Sequence, residues 1–189
     1  MPHTEVGPVS VNGAPATLQR MVRDSDLIEV RPREREKPDL FLADAHLGGL
    51  ARFLRMLGYD TLFHDRRQDG EIRRVAAEER RIVLTRDREL LKCREIARGC
   101  YVRALKPEAQ LREVAGRYDL ASASRPFTLC LQCNVPLEPI EKSQVATRLP
   151  QQVAQLHEKF VHRTGCDRVY WPGSHYNRMH AALGGALDR

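Results

Sequence analysis

From Asp39 to Tyr118 the chain alternates short apolar runs with stretches of helical spacing, and few folds accommodate that alternation. Leu40-Phe41-Leu42-Ala43 reads as a buried strand, and Leu47, Leu50, Ala51, Leu54 and Leu57 mark one face of a helix that Gly58 can end through a left-handed cap. Tyr59 to Phe63 follows as a strand, about Asp69 to Arg81 as a helix with Ile72, Val75 and Ala76 inward, and Ile82-Val83-Leu84-Thr85 as an apolar strand. The spacing then predicts a third helix from Asp87 to Arg98, a fourth strand over Cys100-Tyr101-Val102-Arg103-Ala104, and a helix from Pro107 to Tyr118 with proline at its start. Strands separated by helices of this length pair in parallel through right-handed crossovers. The expected fold class is a three-layer α/β domain over residues 39–121.

Both flanks read differently. Val9-Ser10-Val11-Asn12-Gly13 alternates into a turn dipeptide, and Leu27-Ile28-Glu29-Val30 is a second strand-like run, so residues 1–31 read as strand, turn and strand. So small a piece buries little surface by itself. The charged, proline-bounded run at 32–38 has the composition of a linker. After the polar break at 122–126 the alternation stops, and residues 127–180 carry Cys130, Cys133 and Cys166 in a frame too small for a second large core. Such a frame needs a staple, and a metal ion is the obvious one.

Charge and cysteine usage narrow the function classes. The formal net charge of +6 and pI near 9.3 come mostly from arginine, whose planar fork suits phosphate. That balance fits nucleic-acid binding as well as it fits a solvated basic surface. No apolar stretch is long enough to span a bilayer and the first residues lack the pattern of a signal peptide, so a cytoplasmic protein with no membrane partner is expected. Five cysteines, an odd number with one tight Cys-x-x-Cys pair, suit metal ligands plus spare thiols better than a disulfide framework. Cys93 and Cys100 fall in apolar packing positions and are read as spare thiols.

Two strand ends deliver aspartates: Asp44 closes the run at 41–44 and Asp87 the run at 84–87. In a parallel sheet the carboxyl ends of strands converge on one crevice, so residues far apart in sequence become neighbours there. Clustered carboxylates at such a place hold Mg²⁺ or Mn²⁺, hard ions that keep several waters and use substrate phosphate to complete their shell. Asp69 and Glu71, at the start of the second predicted helix, are further candidates, with Asp65 and Glu89 behind them. Each acid has a plainer reading too: Asp87 serves equally as an N-cap, and Asp69 and Glu71 as first-turn charges matching the helix dipole. Arg52, Arg55, Arg86 and Arg88 flank these segments and could grip a phosphate backbone, although Arg52 and Arg55 also suit the solvated face of their helix. His46 and His64 lie near the same segments, where a lone histidine is more often a surface group than a base.

FLADAHLGGLARFLRMLGYDT, then RIVLTRDREL, then FTLCLQCNVPLEPI and RVYWPGSHYNRM closely resemble the Mut-seven C-terminal RNase family over about residues 39–180. The resemblance implies a core similar to PIN nuclease domains followed by a zinc ribbon. It further implies metal-dependent RNA cleavage, with Asp44 and Asp87 matching the acidic positions and Asp69 and Glu71 a looser match. RNA is then the expected partner, with a ribosome or protein partner open, and a non-catalytic RNA- or ribosome-binding module with vestigial acids is the alternative. Against the family pattern, Arg163 stands where the first cysteine of a second Cys-x-x-Cys pair is expected. The fourth zinc ligand beside Cys130, Cys133 and Cys166 is then His162 moved inward, or His157, or it is missing. His175, in the WPGSHYNRM segment, matches a family feature and could meet substrate or pack on Trp171. Residues 9–32 resemble the last part of a ubiquitin-like β-grasp domain without its first hairpin and helix. Met1 is therefore expected to fall inside a longer gene, which mass spectrometry of the native N-terminus would check.

Overall fold

The computed structural model describes residues 2–63, 65, 68–174, 176, 177 and 181. Its centre is a four-stranded parallel sheet of β4 (Leu40–Ala43), β5 (Asp60–Phe63), β6 (Ile82–Thr85) and β7 (Gly99–Tyr101), in the order β5-β4-β6-β7. Alternation along the strands sorts their side chains to two faces. Phe41, Ala43, Ile82 and Leu84 join α1 (Gly48–Met56) and α3 (Pro107–Arg117) in one apolar cluster, while Leu42 and Val83 join α2 (Asp69–Glu79) in another. Phe41, Leu42, Ile82 and Leu84 are fully buried, which explains why these strands read as continuous apolar runs. Gly58 follows α1 with φ of +87°, and a Cβ there would lie 2.3 Å from the Arg125 carbonyl oxygen, so this turn requires glycine.

One predicted helix is absent. Between β6 and β7 only a single 3-10 turn forms, Leu90–Lys92, where the spacing pointed to a helix from Asp87 to Arg98. The buried residues of that segment, Leu90, Leu91 and Ile96, are spaced by one and five positions. A helix would not place all three on one face. Cys93 is extended, with ψ of 133°, and ends the turn.

At the N-terminus, β1 (Val9–Val11) pairs antiparallel with both β2 (Ala14–Ala16) and β3 (Ile28–Val30), Asn12 and Gly13 forming the turn in left-handed conformation. The turn that precedes this sheet, His3–Glu5, is fastened to the core. Glu5 accepts hydrogen bonds from the Tyr101 backbone N–H at 3.1 Å and from Arg117 at 2.9 Å, and the His3 ring lies 2.9 Å from the Ile96 carbonyl. The segment at 32–38, expected as a linker, is also tied down: Glu36 bridges to Tyr118 and accepts from the Asp119 N–H at 2.9 Å.

Beyond the core, Cys130 and Cys133 lie in a tight knuckle closed by the Cys130 N–H on the Val135 carbonyl and the Asn134 N–H on the Cys130 carbonyl. An antiparallel sheet follows, of β8 (Glu138–Ile140), β9 (Phe160–Arg163) and β10 (Arg168–Tyr170), with α4 (Lys142–Val145) and α5 (Gln151–Leu156) between its first two strands. The knuckle sits against the free edge of β5. Asn134 accepts from the Thr61 N–H at 2.9 Å and donates to Asp60 at 2.6 Å.

Candidate functional sites

The sheet order puts β4 and β6 side by side with their connections leaving in opposite directions, the point where open α/β sheets bind ligands. Asp44 leaves β4 here and Asp87 leaves β6. Thr85, the last residue of β6 and fully buried, joins them: its hydroxyl donates to Asp44 Oδ2 at 2.6 Å and accepts from the Asp87 N–H at 2.9 Å. Asp44 Oδ1 accepts from the Ala45 N–H at 2.6 Å, its own backbone N–H bonds the Leu84 carbonyl at 2.9 Å, and Asp87 Oδ1 accepts from the Glu89 N–H at 2.7 Å. Each carboxylate is thereby oriented, and with about four lone-pair sites per carboxylate, acceptor capacity remains. Thr85 was not singled out in the sequence, although a polar residue closing an apolar strand two positions before an aspartate is a readable signal.

Asp69 and Glu71 sit exposed in the first turn of α2, on the same edge of the sheet. The structure does not draw them into one ligand set with Asp44 and Asp87. Among the described residues, the only group of three or more candidate ligand atoms lying within 4.8 Å of one another is Cys130, Cys133 and Cys166. Asp65 is exposed, and Glu89 pairs with Lys92 at 2.6 Å. His46 is exposed in left-handed conformation with φ of 67°, whereas His64 and His175 lie outside the described residues.

The four arginines divide. Arg52 is exposed and lines a cavity of about 270 Å³ together with Gly48, Phe63 and Asp65. Arg86 is exposed beside Asp87, and the Arg88 guanidinium lies over the Tyr101 ring, 4.8 Å from its centroid. Arg55 is different: it is buried, and its guanidinium donates to the carbonyls of Thr61 at 2.9 Å, Leu131 at 3.0 Å and Gln132 at 2.9 Å. A side chain so engaged clamps the knuckle to the sheet edge instead of reaching for a phosphate. Burial lowers its pKa from the ordinary arginine value, while the nearby Cys130 and Cys133 thiols and Asp60 pull the other way. The adjoining Asp60 is held below the usual carboxylate range: burial opposes this, but hydrogen bonds from Arg81 and Asn134 outweigh it.

The cysteine cluster fits a metal such as zinc. A tetrahedral ion with Zn–S bonds of about 2.3 Å requires sulfurs about 3.8 Å apart, and Cys130 Sγ lies 3.7 Å from Cys166 Sγ. Burial opposes ionisation of Cys130, but hydrogen bonds from the Tyr170 hydroxyl at 3.1 Å and the Cys133 N–H at 3.4 Å bring its pKa down to about 7. Cys133 is pushed up to about 11, chiefly by its hydrogen bond with Cys166. His162, expected as fourth ligand, is not in the cluster. It stands on β9 opposite Glu138, with 4.0 Å between its Nε2 and the carboxylate, because the strand register pairs those two residues. His157 ends α5 and is likewise outside the group.

No helix among the described residues is long and apolar enough to cross a membrane. Comparison with known proteins gives two family matches: residues 39–183 match the model described as Mut7-C RNAse domain, and residues 1–37 match the one described as Mut7-C ubiquitin. No curated protein and no solved structure matches the chain.

Proposed function

Because the chain belongs to the Mut7-C RNAse domain family, we propose that it is a metal-dependent ribonuclease whose chemistry is carried by Asp44 and Asp87. The observation that carries this reading is the Thr85 bridge, which orients two strand-end carboxylates at the switch point of a parallel sheet. In this reading the core is a three-layer, PIN-like domain and the C-terminal module a zinc ribbon.

Asp44 and Asp87 would hold Mg²⁺ or Mn²⁺, with Asp69 and Glu71, in the first turn of α2, as further acidic candidates. A preassembled triad is not needed, since these ions retain waters and take oxygens from the substrate. The ion, when bound, lowers the pKa of a coordinated water and offsets charge developing on the scissile phosphate. The chain's own residues position the RNA: Arg86 and Arg88 beside Asp87, and Arg52 in the cavity beside Asp65, offer guanidinium forks to the phosphate backbone. Arg55 and Gln132 line the same cavity, and the hydrogen bonds of Arg55 hold the knuckle in place.

The test is cleavage of single-stranded and structured RNA with Mn²⁺ or Mg²⁺. Asp87→Asn and Asp44→Asn keep the shape of the side chain and lose the charge, so cleavage falls by at least about 100-fold while circular dichroism and thermal midpoint stay near the parent values. Undiminished cleavage by the folded variants would overturn the assignment. RNA binding without metal-dependent cleavage by the parent protein would select the non-catalytic alternative.

A further inference from the structure

Zinc sites that only support a fold are closed by four protein ligands, whereas an ion with three protein ligands keeps a position for something else. Three thiolates converge here, and among the described residues four side chains come into question for the fourth corner. Arg163 cannot, because a guanidinium has no lone pair to give. It folds over the turn before Cys166, close enough that a Cβ on Gly165 would lie 3.1 Å from its terminal nitrogen, and its Nε is buried with no hydrogen-bond partner. His162 lies 4.0 Å from the Glu138 carboxylate and His157 ends α5, and neither belongs to the cysteine group.

Tyr170 is the remaining neighbour. An oxygen at the fourth corner, about 2.0–2.2 Å from the ion, would stand roughly 3.5 Å from each sulfur. Its hydroxyl lies 3.1 Å from Cys130 Sγ, the separation of an O–H donating to sulfur and too short for two co-ligands. The three sulfurs also differ in access: Cys130 is buried, Cys166 half-buried and Cys133 exposed. Solvent therefore reaches the cluster from the Cys133 side.

We infer that Cys130, Cys133 and Cys166 form a three-thiolate zinc site whose fourth position is exchangeable. Water fills it at rest, a small monodentate ligand such as imidazole or a thiolate can replace the water, and Tyr170 donates a hydrogen bond to the Cys130 thiolate. Zn²⁺ with three thiolates carries a net charge of −1, so a neutral donor such as water or imidazole enters the fourth position against less repulsion than a further anion.

Zinc X-ray absorption on the full chain loaded with one equivalent of Zn²⁺ reads the ligand set directly. Three sulfur scatterers and one oxygen are expected, and Co²⁺-loaded protein should change its visible spectrum on titration with imidazole or 2-mercaptoethanol. Arg163→Cys should give four sulfurs and a spectrum that no longer responds, while Tyr170→Phe should retain three sulfurs and one oxygen. Failure to bind an equivalent of Zn²⁺ would overturn the inference. So would a fourth sulfur or an imidazole scatterer in the parent protein, or loss of the oxygen in Tyr170→Phe. The measurements on the parent protein decide the matter even where a variant does not fold.

Discussion

Replacing Arg55 by alanine should release the cysteine module from the parallel sheet. The guanidinium makes three hydrogen bonds, to the carbonyls of Thr61, Leu131 and Gln132, from a side chain only 5% exposed. A hydrogen bond from a charged donor is worth about 1.5–3 kcal/mol, and a buried acceptor left without a partner costs about 1–3 kcal/mol. Thr61 is fully buried and its carbonyl would bear that cost, whereas Leu131 is half-buried and Gln132 exposed, so their carbonyls can turn to water. The expected loss is about 2–4 kcal/mol, or roughly 1–2 M in the urea midpoint for a slope near 2 kcal/mol per molar. Trp171 is the single tryptophan and lies in the module, its ring 6.5 Å from that of Phe160, so its fluorescence reports module unfolding while far-ultraviolet circular dichroism follows the core. In the variant the fluorescence transition should move to lower urea ahead of the core transition. Arg55→Lys should recover part of the loss, since one ammonium cannot serve three carbonyls in this arrangement. Coincident transitions within about 0.2 M of the parent midpoint would refute the clamp.

Thr85→Val keeps the shape of the residue but leaves Asp44 Oδ2 and the Asp87 N–H without their shared partner; cleavage should fall by about 10–100-fold and stability by about 1–3 kcal/mol. Undiminished cleavage and unchanged stability in Thr85→Val would refute the role of the bridge. Asp60 titrates below its ordinary value in the folded protein, so its stabilising effect is complete above the unfolded value of about 4 and fades as pH falls from there through the folded value. Asp60→Asn should flatten the acid side of the stability profile measured between about pH 6 and 3, and an unchanged slope would count against this pairing with Arg81.

Much of the core was legible because burial writes itself locally. The apolar runs at Leu40–Ala43 and Ile82–Thr85 coincide with β4 and β6, and the face marked by Leu47, Leu50, Ala51, Leu54 and Leu57 is the buried face around α1. The strand-end position of Asp44 and Asp87 followed from the same pattern. What was missed depends on partners distant in the chain. Arg52 and Arg55 are equivalent on a helix surface by spacing, yet the knuckle, 76 residues on, covers only Arg55. His162 stands next to the position of the missing ligand in sequence, but strand register turns it toward Glu138. The helix predicted over Asp87 to Arg98 failed because Leu90, Leu91 and Ile96 satisfy burial without helical spacing.

Both outer strands of the parallel sheet end in side chains and not in another strand. On β5, Asn134 takes the Thr61 N–H and Arg55 takes its carbonyl; on β7, Glu5 takes the Tyr101 N–H and Arg117 donates to the Gly99 carbonyl at 2.8 Å. A bare edge invites a strand from a neighbouring molecule. The N-terminal and cysteine segments thus act as stoppers against aggregation, each supplied by the same chain. Shortening the protein to residues 39–121 would uncover both edges at once, so the parallel-sheet core depends on the two appendages that look most dispensable.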